Sequence, residues 1–409
     1  VITVVGVGAD GWDGLSPAAR ARVQAAPVVL GGRRHLDLLP EFPGQRRQPW
    51  PSPLREGLPA LLAALGGQPA VALASGDPLV SGIGTTLAEL LGRDNVEVLP
   101  AVSSVALARA EMRWPAESHA TVSVVGRDVS LVRRELAPGR RILVLSSDET
   151  TPGAVAGLLV EAGYGDSEIA VLGDLGGPAA GTAFLDTARR LVEDDVDLPR
   201  LNIVAVTCVG PHRGGWVAGL PDDAFESDGQ LTKRDLRASA LARLAPTPGE
   251  HLWDVGAGAG SVGIEWMRAH PTCRATAVEA DPDRAERIGR NAARLGVPGL
   301  RVVPGRAPDA LAGLSAPDAI FVGGGATREG VLDACLAALR PGGRLVVHGV
   351  TLETEQLLAD AYRTHGGELT RLAVETAAPI GSFTGWTPAR TVIQWAVAVR
   401  PRQSLGLRT

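Results

Sequence analysis

Cysteine is scarce. Cys208, Cys273 and Cys335 are odd in number, far apart and set in apolar runs, which excludes a disulfide framework and predicts three buried thiols. There is no CxxC pair and no HExxH, and the seven histidines are scattered, so no metal site is expected. The net charge is −5 without a basic run, so DNA or RNA would meet no positive field and is not an expected partner. No apolar stretch reaches the roughly 20 residues of a membrane span. The chain enters an apolar strand at once (ITVVGVG), without a charged region or a cleavage site, and a cytoplasmic location is expected. What remains is an ordinary α/β composition, 45% apolar with 51 glycines, in 409 residues, enough for two or three domains.

The most informative stretch is LWDVGAGAGSVGIEW, residues 252–266: a short apolar strand, three alternating glycines, then a helix start. A strand that turns sharply into a helix while a ligand touches its backbone needs residues without a Cβ, and Gly256, Gly258 and Gly260 supply them. Asp254 at the strand end is expected to receive a cationic or hydroxyl group. Ser261 stands where a dinucleotide fingerprint has its third glycine, which disfavours NAD and FAD. The spacing is closer to the Asp/Glu-x-Gly-x-Gly-x-Gly turn of methyltransferases that use S-adenosylmethionine (SAM). Glu279 ends the next apolar run about 20 residues on, where a carboxylate can accept both ribose hydroxyls.

Glycine punctuates the first half as well. An apolar run from Ile2 breaks into GVGADG, and Ser16 and Pro17 cap a helix through Ala25. Strand Val28 to Leu30 ends in GGRRHL, whose arginines either pair with a carboxylate or form a solvated turn. After a Pro-rich connection, AVALA opens into SGDPLVSGIG, and VEVL into PAVSS. Three strand ends, at Gly6, Ser75 and Ala101, thus deliver small-residue loops, which a parallel sheet gathers at its carboxyl edge. A second α/β lobe follows from Thr121. Residues 209–229, rich in Gly, Pro and Asp, read as a linker. The divisions expected are 1–210 (lobes about 1–116 and 117–210), a linker at 211–230, and 231–409.

GVGADG, ASGDPLVSGIG, PAVSS and LNIVAV, in that order, resemble the tetrapyrrole methylase family, with GRRHL and GDPLVSGIG closest to the subfamily that methylates carbon 5 of the precorrin ring. The resemblance implies a two-lobed fold holding SAM against Gly6, Val7 and Gly8, Ser75, Gly76 and Asp77, Ser103 and Ser104, and near Asn202. Ala9 departs from the proline many members carry after GxG. Ser103 and Ser104 also fit a plain helix cap.

The second half is similar to the precorrin decarboxylating methyltransferases that act at carbon 15. DGQLTKRDLR, DVGAGAGSVGIEW, Glu279, GRAPDAL and FVGGG carry the likeness. It implies a seven-strand Rossmann-like SAM fold closed by an antiparallel hairpin, with cofactor contacts at Thr232, Gly305, Arg306 and Ala307 as well. Arg306 stands where such enzymes often place an acidic residue against adenine. Gly323, Gly324 and Gly325 replace the Asn/Asp-Pro-Pro-aromatic motif of amino-group methylases, which points to a carbon nucleophile. Together the halves imply a bifunctional enzyme of cobalamin biosynthesis acting on a tetrapyrrole, free of metal or holding cobalt, in a homo-oligomer; a non-catalytic corrinoid or SAM-binding module is the alternative. Displacement at a sulfonium methyl needs no protein nucleophile, and the sequence assigns none. The substrate carboxylates need cations, for which Arg33, Arg127, Lys233 and Arg237 are the candidates.

Overall fold

The computed structural model describes residues 1–212 and 214–399; Arg213 of the expected linker and residues 400–409 of the expected last domain lie outside them. The chain divides into two compact units, Val1–His212 and Arg213–Thr409.

The first unit holds two five-stranded sheets. Strands β1 (Ile2–Val7), β2 (Val28–Gly31), β3 (Arg46–Pro49), β4 (Ala70–Ser75) and β5 (Val96–Leu99) form one in the order β3-β2-β4-β1-β5, all parallel. The central strands β1 and β4 are continuous apolar runs because helices cover both their faces. Strands β6 (His119–Ser123), β7 (Arg141–Leu145), β8 (Glu168–Gly173), β9 (Gly181–Thr187) and β10 (Asn202–Thr207) form the other in the order β6-β7-β10-β8-β9. Only β6 and β7 run parallel there.

The second unit is built on seven strands: β11 (His251–Val255), β12 (Arg274–Glu279), β13 (Arg301–Pro304), β14 (Ala319–Val322), β15 (Arg344–Gly349), β16 (Glu368–Leu372) and, further on, β19 (Val392–Ala398). Their order is β13-β12-β11-β14-β15-β19-β16, parallel through β15, with β19 antiparallel to both its neighbours. Between β16 and β19 the chain forms a separate hairpin of β17 (Glu375–Ile380) and β18 (Phe383–Pro388). Phe383 and Trp386 are exposed on it.

The reading of residues 211–230 as a linker needs correction over most of its length. Leu220 and Phe225 are buried in the core of the second unit. Gly219 and Leu220 donate their backbone N–H groups to Glu265, and Glu226 donates its own to Asn291. Buried side chains, rather than a helix or strand period, satisfy this irregular backbone, so the sequence shows no pattern there.

All three cysteines are free and buried. Among the described residues no helix is long and apolar enough to cross a membrane.

Candidate functional site

In the second unit the strand order reverses between β11 and β14, which opens a crevice at the carboxyl edge of the sheet. A cleft of about 860 Å³ lies there, lined by the loops after β11, β12, β13 and β14 and by residues 229–233. Gly256 and Gly258 line it, with φ of 67° and 58°. A Cβ on Gly256 would sit 2.7 Å from the Gly324 carbonyl oxygen, and one on Gly258 would sit 2.7 Å from that of Gln230. The glycines therefore serve close approach by the protein's own loops, which in turn shapes the cleft wall. Gly260 does not line the cleft; it stands at the N-cap of the helix Ser261–Ala269, where a Cβ would sit 2.8 Å from the Ile288 side chain.

Glu279, at the end of β12, borders the same cleft. One carboxylate oxygen accepts the Gly258 N–H at 2.8 Å and the other the Asp281 N–H at 3.0 Å. Each oxygen keeps a lone pair for a ligand hydroxyl. Gly305, Arg306 and Ala307, in the loop after β13, line the same cleft, as do Thr232 and Lys233. Lys233 Nζ is 3.7 Å from Asp222.

Two sequence assignments are corrected here. Asp254 does not reach the cleft: it is buried, and its carboxylate accepts the Gly263 N–H at 2.9 Å, tying the strand to the helix that follows the turn. Its second oxygen has no partner among the described residues. Burial, with the nearby Glu279 charge, pushes its pKa up to about 7. Arg237 is not available to a substrate. Its side chain is fully buried, donates to Glu265 at 2.6 Å and to the Leu220 and Thr232 carbonyls, and pairs with Asp222 at 3.3 Å. A helix that packs its arginine inward looks the same in sequence as one that displays it.

The cleft also holds residues that the sequence reading passed over: Arg328, Arg390 and His348. Arg328 reaches Asp309 only at 3.8 Å, and Arg390 is exposed. The signal that could have marked His348 is a polar residue at the carboxyl end of an otherwise apolar strand.

In the first unit β4, β1 and β5 lie side by side, so the loops after them interlock. Gly76 donates to the Val7 carbonyl at 2.9 Å and Ala101 to the Gly76 carbonyl at 3.2 Å. Gly6 allows this, because a Cβ there would overlap the Gly76 oxygen at 2.0 Å. Gly8 follows directly. Asp77 accepts the Leu79 N–H, a turn contact. Ser103 caps the helix Ser104–Met112 through the Ala106 N–H. Ser75 Oγ lies 3.0 Å from His35 Nε2 and 3.4 Å from Arg34. The GGRRHL segment is thus not a solvated turn but the start of a short helix, Arg33–Asp37, with Arg33 exposed and Arg34 turned to the Ser75 loop. Burial and the Arg34 charge push the His35 pKa down to about 4. Asn202 belongs to the second lobe, where its amide donates to the Asp148 and Pro199 carbonyls while its buried Oδ1 has no partner among the described residues. The neighbouring turn at Asp174–Gly177 packs against Ala9 of the first lobe. Arg127 is exposed in the turn after β6.

Residues 1–184 match the family model of tetrapyrrole (corrin/porphyrin) methylases, and residues 223–399 that of the precorrin methyltransferase domain. A Sinorhizobium protein called precorrin-6Y C(5,15)-methyltransferase [decarboxylating] is 45% identical over 97% of this chain and 95% of its own length. A Mycobacterium tuberculosis protein of the same name is 44% identical over 98% of this chain and its whole length. The solved C-terminal domain of precorrin-6Y C5,15-methyltransferase from Rhodobacter capsulatus is 44% identical and covers 45% of this chain and 100% of its own, with a TM-score of 0.43. Aligned with such relatives over nearly its whole length, the chain belongs to the family of decarboxylating precorrin-6Y C(5,15)-methyltransferases.

Proposed function

We propose that the chain converts precorrin-6Y to precorrin-8 in cobalamin biosynthesis, the N-terminal half methylating carbon 5 and the C-terminal half decarboxylating the ring C acetate and methylating carbon 15. The observation that carries the reading is the cleft at the strand-order reversal of the second unit, where the Gly258 turn and the Glu279 carboxylate meet.

The residues of the cleft fit SAM. Its volume is that of a small-molecule site, Glu279 offers acceptors for ribose hydroxyls, and Gly305 to Ala307 offer a surface for the adenine. In the first unit the interlocked loops at Gly6 to Gly8, Ser75 to Asp77 and Ser103 to Ser104 form the corresponding place, with the spare acceptor of Asn202 on the second lobe. SAM, when bound, supplies an activated methyl group, so the protein's task is alignment in a dry cleft, worth up to roughly 7–11 kcal/mol in well-oriented cases. A ring carbon that gains a methyl gives up a proton. The acetate loses carbon dioxide as its C–C electron pair moves into the conjugated ring, and the methylene left behind takes a proton up.

The tetrapyrrole carries several carboxylates. Lys233, Arg328 and Arg390 line the cleft and serve them in the second unit, as Arg33 and Arg127 do in the first. The enzyme works in the cytoplasm as a homo-oligomer. Titration of the full-length chain with SAM tests the cofactor reading: two sites per chain support it, and binding of NADH in place of SAM contradicts it.

A further inference from the structure

We propose that His348 orients the ring C acetate for decarboxylation, donating a hydrogen bond from Nδ1 to the carboxylate that is lost. This rests on the C-terminal half performing that reaction.

His348 sits at the carboxyl end of β15, on the cleft wall, almost buried at 7% exposure. Its ring stands edge-on to Phe321, with centroids 5.0 Å apart. Its Nε2 lies 2.8 Å from the side-chain amide of the buried Gln394. The chemistry on the far side of that amide fixes the tautomer. Arg243 has donors only, so the Gln394 oxygen must face it, accepting from Nε at 2.9 Å and Nη1 at 3.2 Å. The Gln394 nitrogen then faces His348 and donates to Nε2. The ring proton is left on Nδ1, which has no partner among the described residues. Burial pushes the imidazole pKa down to about 4, and the Arg243 charge acts in the same direction. The cleft wall therefore presents a fixed, neutral N–H.

Such a donor suits this step better than a cation. As carbon dioxide leaves, the C–C bond breaks and its electron pair moves into the macrocycle. Negative charge leaves the carboxylate, and an ion pair to it would stabilise the starting state more than the transition state. A neutral N–H holds the C–C bond in position with less of that penalty, on a ring that packing against Phe321 keeps in place. The methylene carbon takes up one proton, matching the one that carbon 15 releases.

The test uses the full-length chain with SAM and precorrin-6Y, and reads the ratio of decarboxylated to carboxylated methyl product by mass. His348→Phe keeps a ring against Phe321 and removes the N–H. It lowers that ratio about 10- to 100-fold, with SAM affinity unchanged. His348→Asn, which places an amide N–H near the Nδ1 position, restores the ratio. An unchanged ratio in His348→Phe overturns the proposal, and so does a parallel loss of methylation and decarboxylation that His348→Asn does not rescue. A wild-type enzyme that methylates without releasing carbon dioxide overturns the functional reading itself, and the proposal with it.

Discussion

Arg237 donates from Nε to Glu265 at 2.6 Å inside the second unit, with both side chains buried. Glu265 also accepts the Gly219 and Leu220 N–H groups, so this pair fastens the irregular entry segment to the helix behind the glycine turn. Arg237→Ala leaves the buried Glu265 carboxylate without its charged partner and the Leu220 and Thr232 carbonyls without the Arg237 donor. Loss of one partner of such a pair costs about 3–5 kcal/mol. Urea unfolding of the full-length variant should show a transition weakened by that amount; a loss below about 1 kcal/mol would return Arg237 to the list of exposed cations.

Asp254 predicts a pH dependence of stability. Its folded pKa, near 7, lies above the ordinary carboxylate value because burial disfavours the charge. Between about pH 4 and 7 the native state holds a proton that the unfolded state has lost, so this group's contribution falls as pH rises through that window and is flat above it. Asp254→Asn can still accept the Gly263 N–H without ever ionising. Its stability relative to the parent should therefore improve from pH 5 to pH 8, measured by urea unfolding. A relative loss over that range would contradict the buried, proton-holding carboxylate.

Glu279→Ala removes the acceptor for the Gly258 and Asp281 N–H groups and for the proposed ribose contact. SAM affinity at the second-unit site should drop about 10- to 100-fold with the first-unit site intact. Calorimetry should resolve two sites in the parent and one of comparable affinity in the variant. Two undisturbed sites would remove Glu279 from cofactor binding.

Charge at the cleft gives a further test. Lys233→Ala with Arg390→Ala should weaken tetrapyrrole binding and reduce its salt dependence, while leaving SAM affinity unchanged. Arg127→Ala should do the same for the first unit. Substrate affinity that ignores these changes would place the carboxylates elsewhere.

The strands were legible where a single rule governs them. The apolar runs of β1, β4, β8 and β11 are buried on both faces and announce themselves. Strand β3 was hidden because RRQP is polar and ends in proline, both tolerated at a sheet edge. The exposed hairpin of β17 and β18 has no core face to impose a period. In the candidate site, glycines and Glu279 were legible because a turn and a strand end fix their places. Arg237 and Asp254 were misplaced because sequence does not tell which way a charged side chain faces. His348 was missed because its surroundings come from β14, β19 and the helix Arg234–Leu244, distant in the chain.

The most direct measurement is the mass of the macrocycle after incubation of the full-length chain with SAM and metal-free precorrin-6Y, beside a Gly258→Arg variant. With φ at 58° and Gln230 against it, Gly258 cannot take a side chain without disturbing the turn. The parent should add two methyls and lose one carbon dioxide, and the variant at most one methyl with no carbon dioxide lost. Reaction only with the cobalt-containing ring would move the enzyme to the other branch of the pathway, and no reaction with either ring despite SAM binding would contradict the catalytic account.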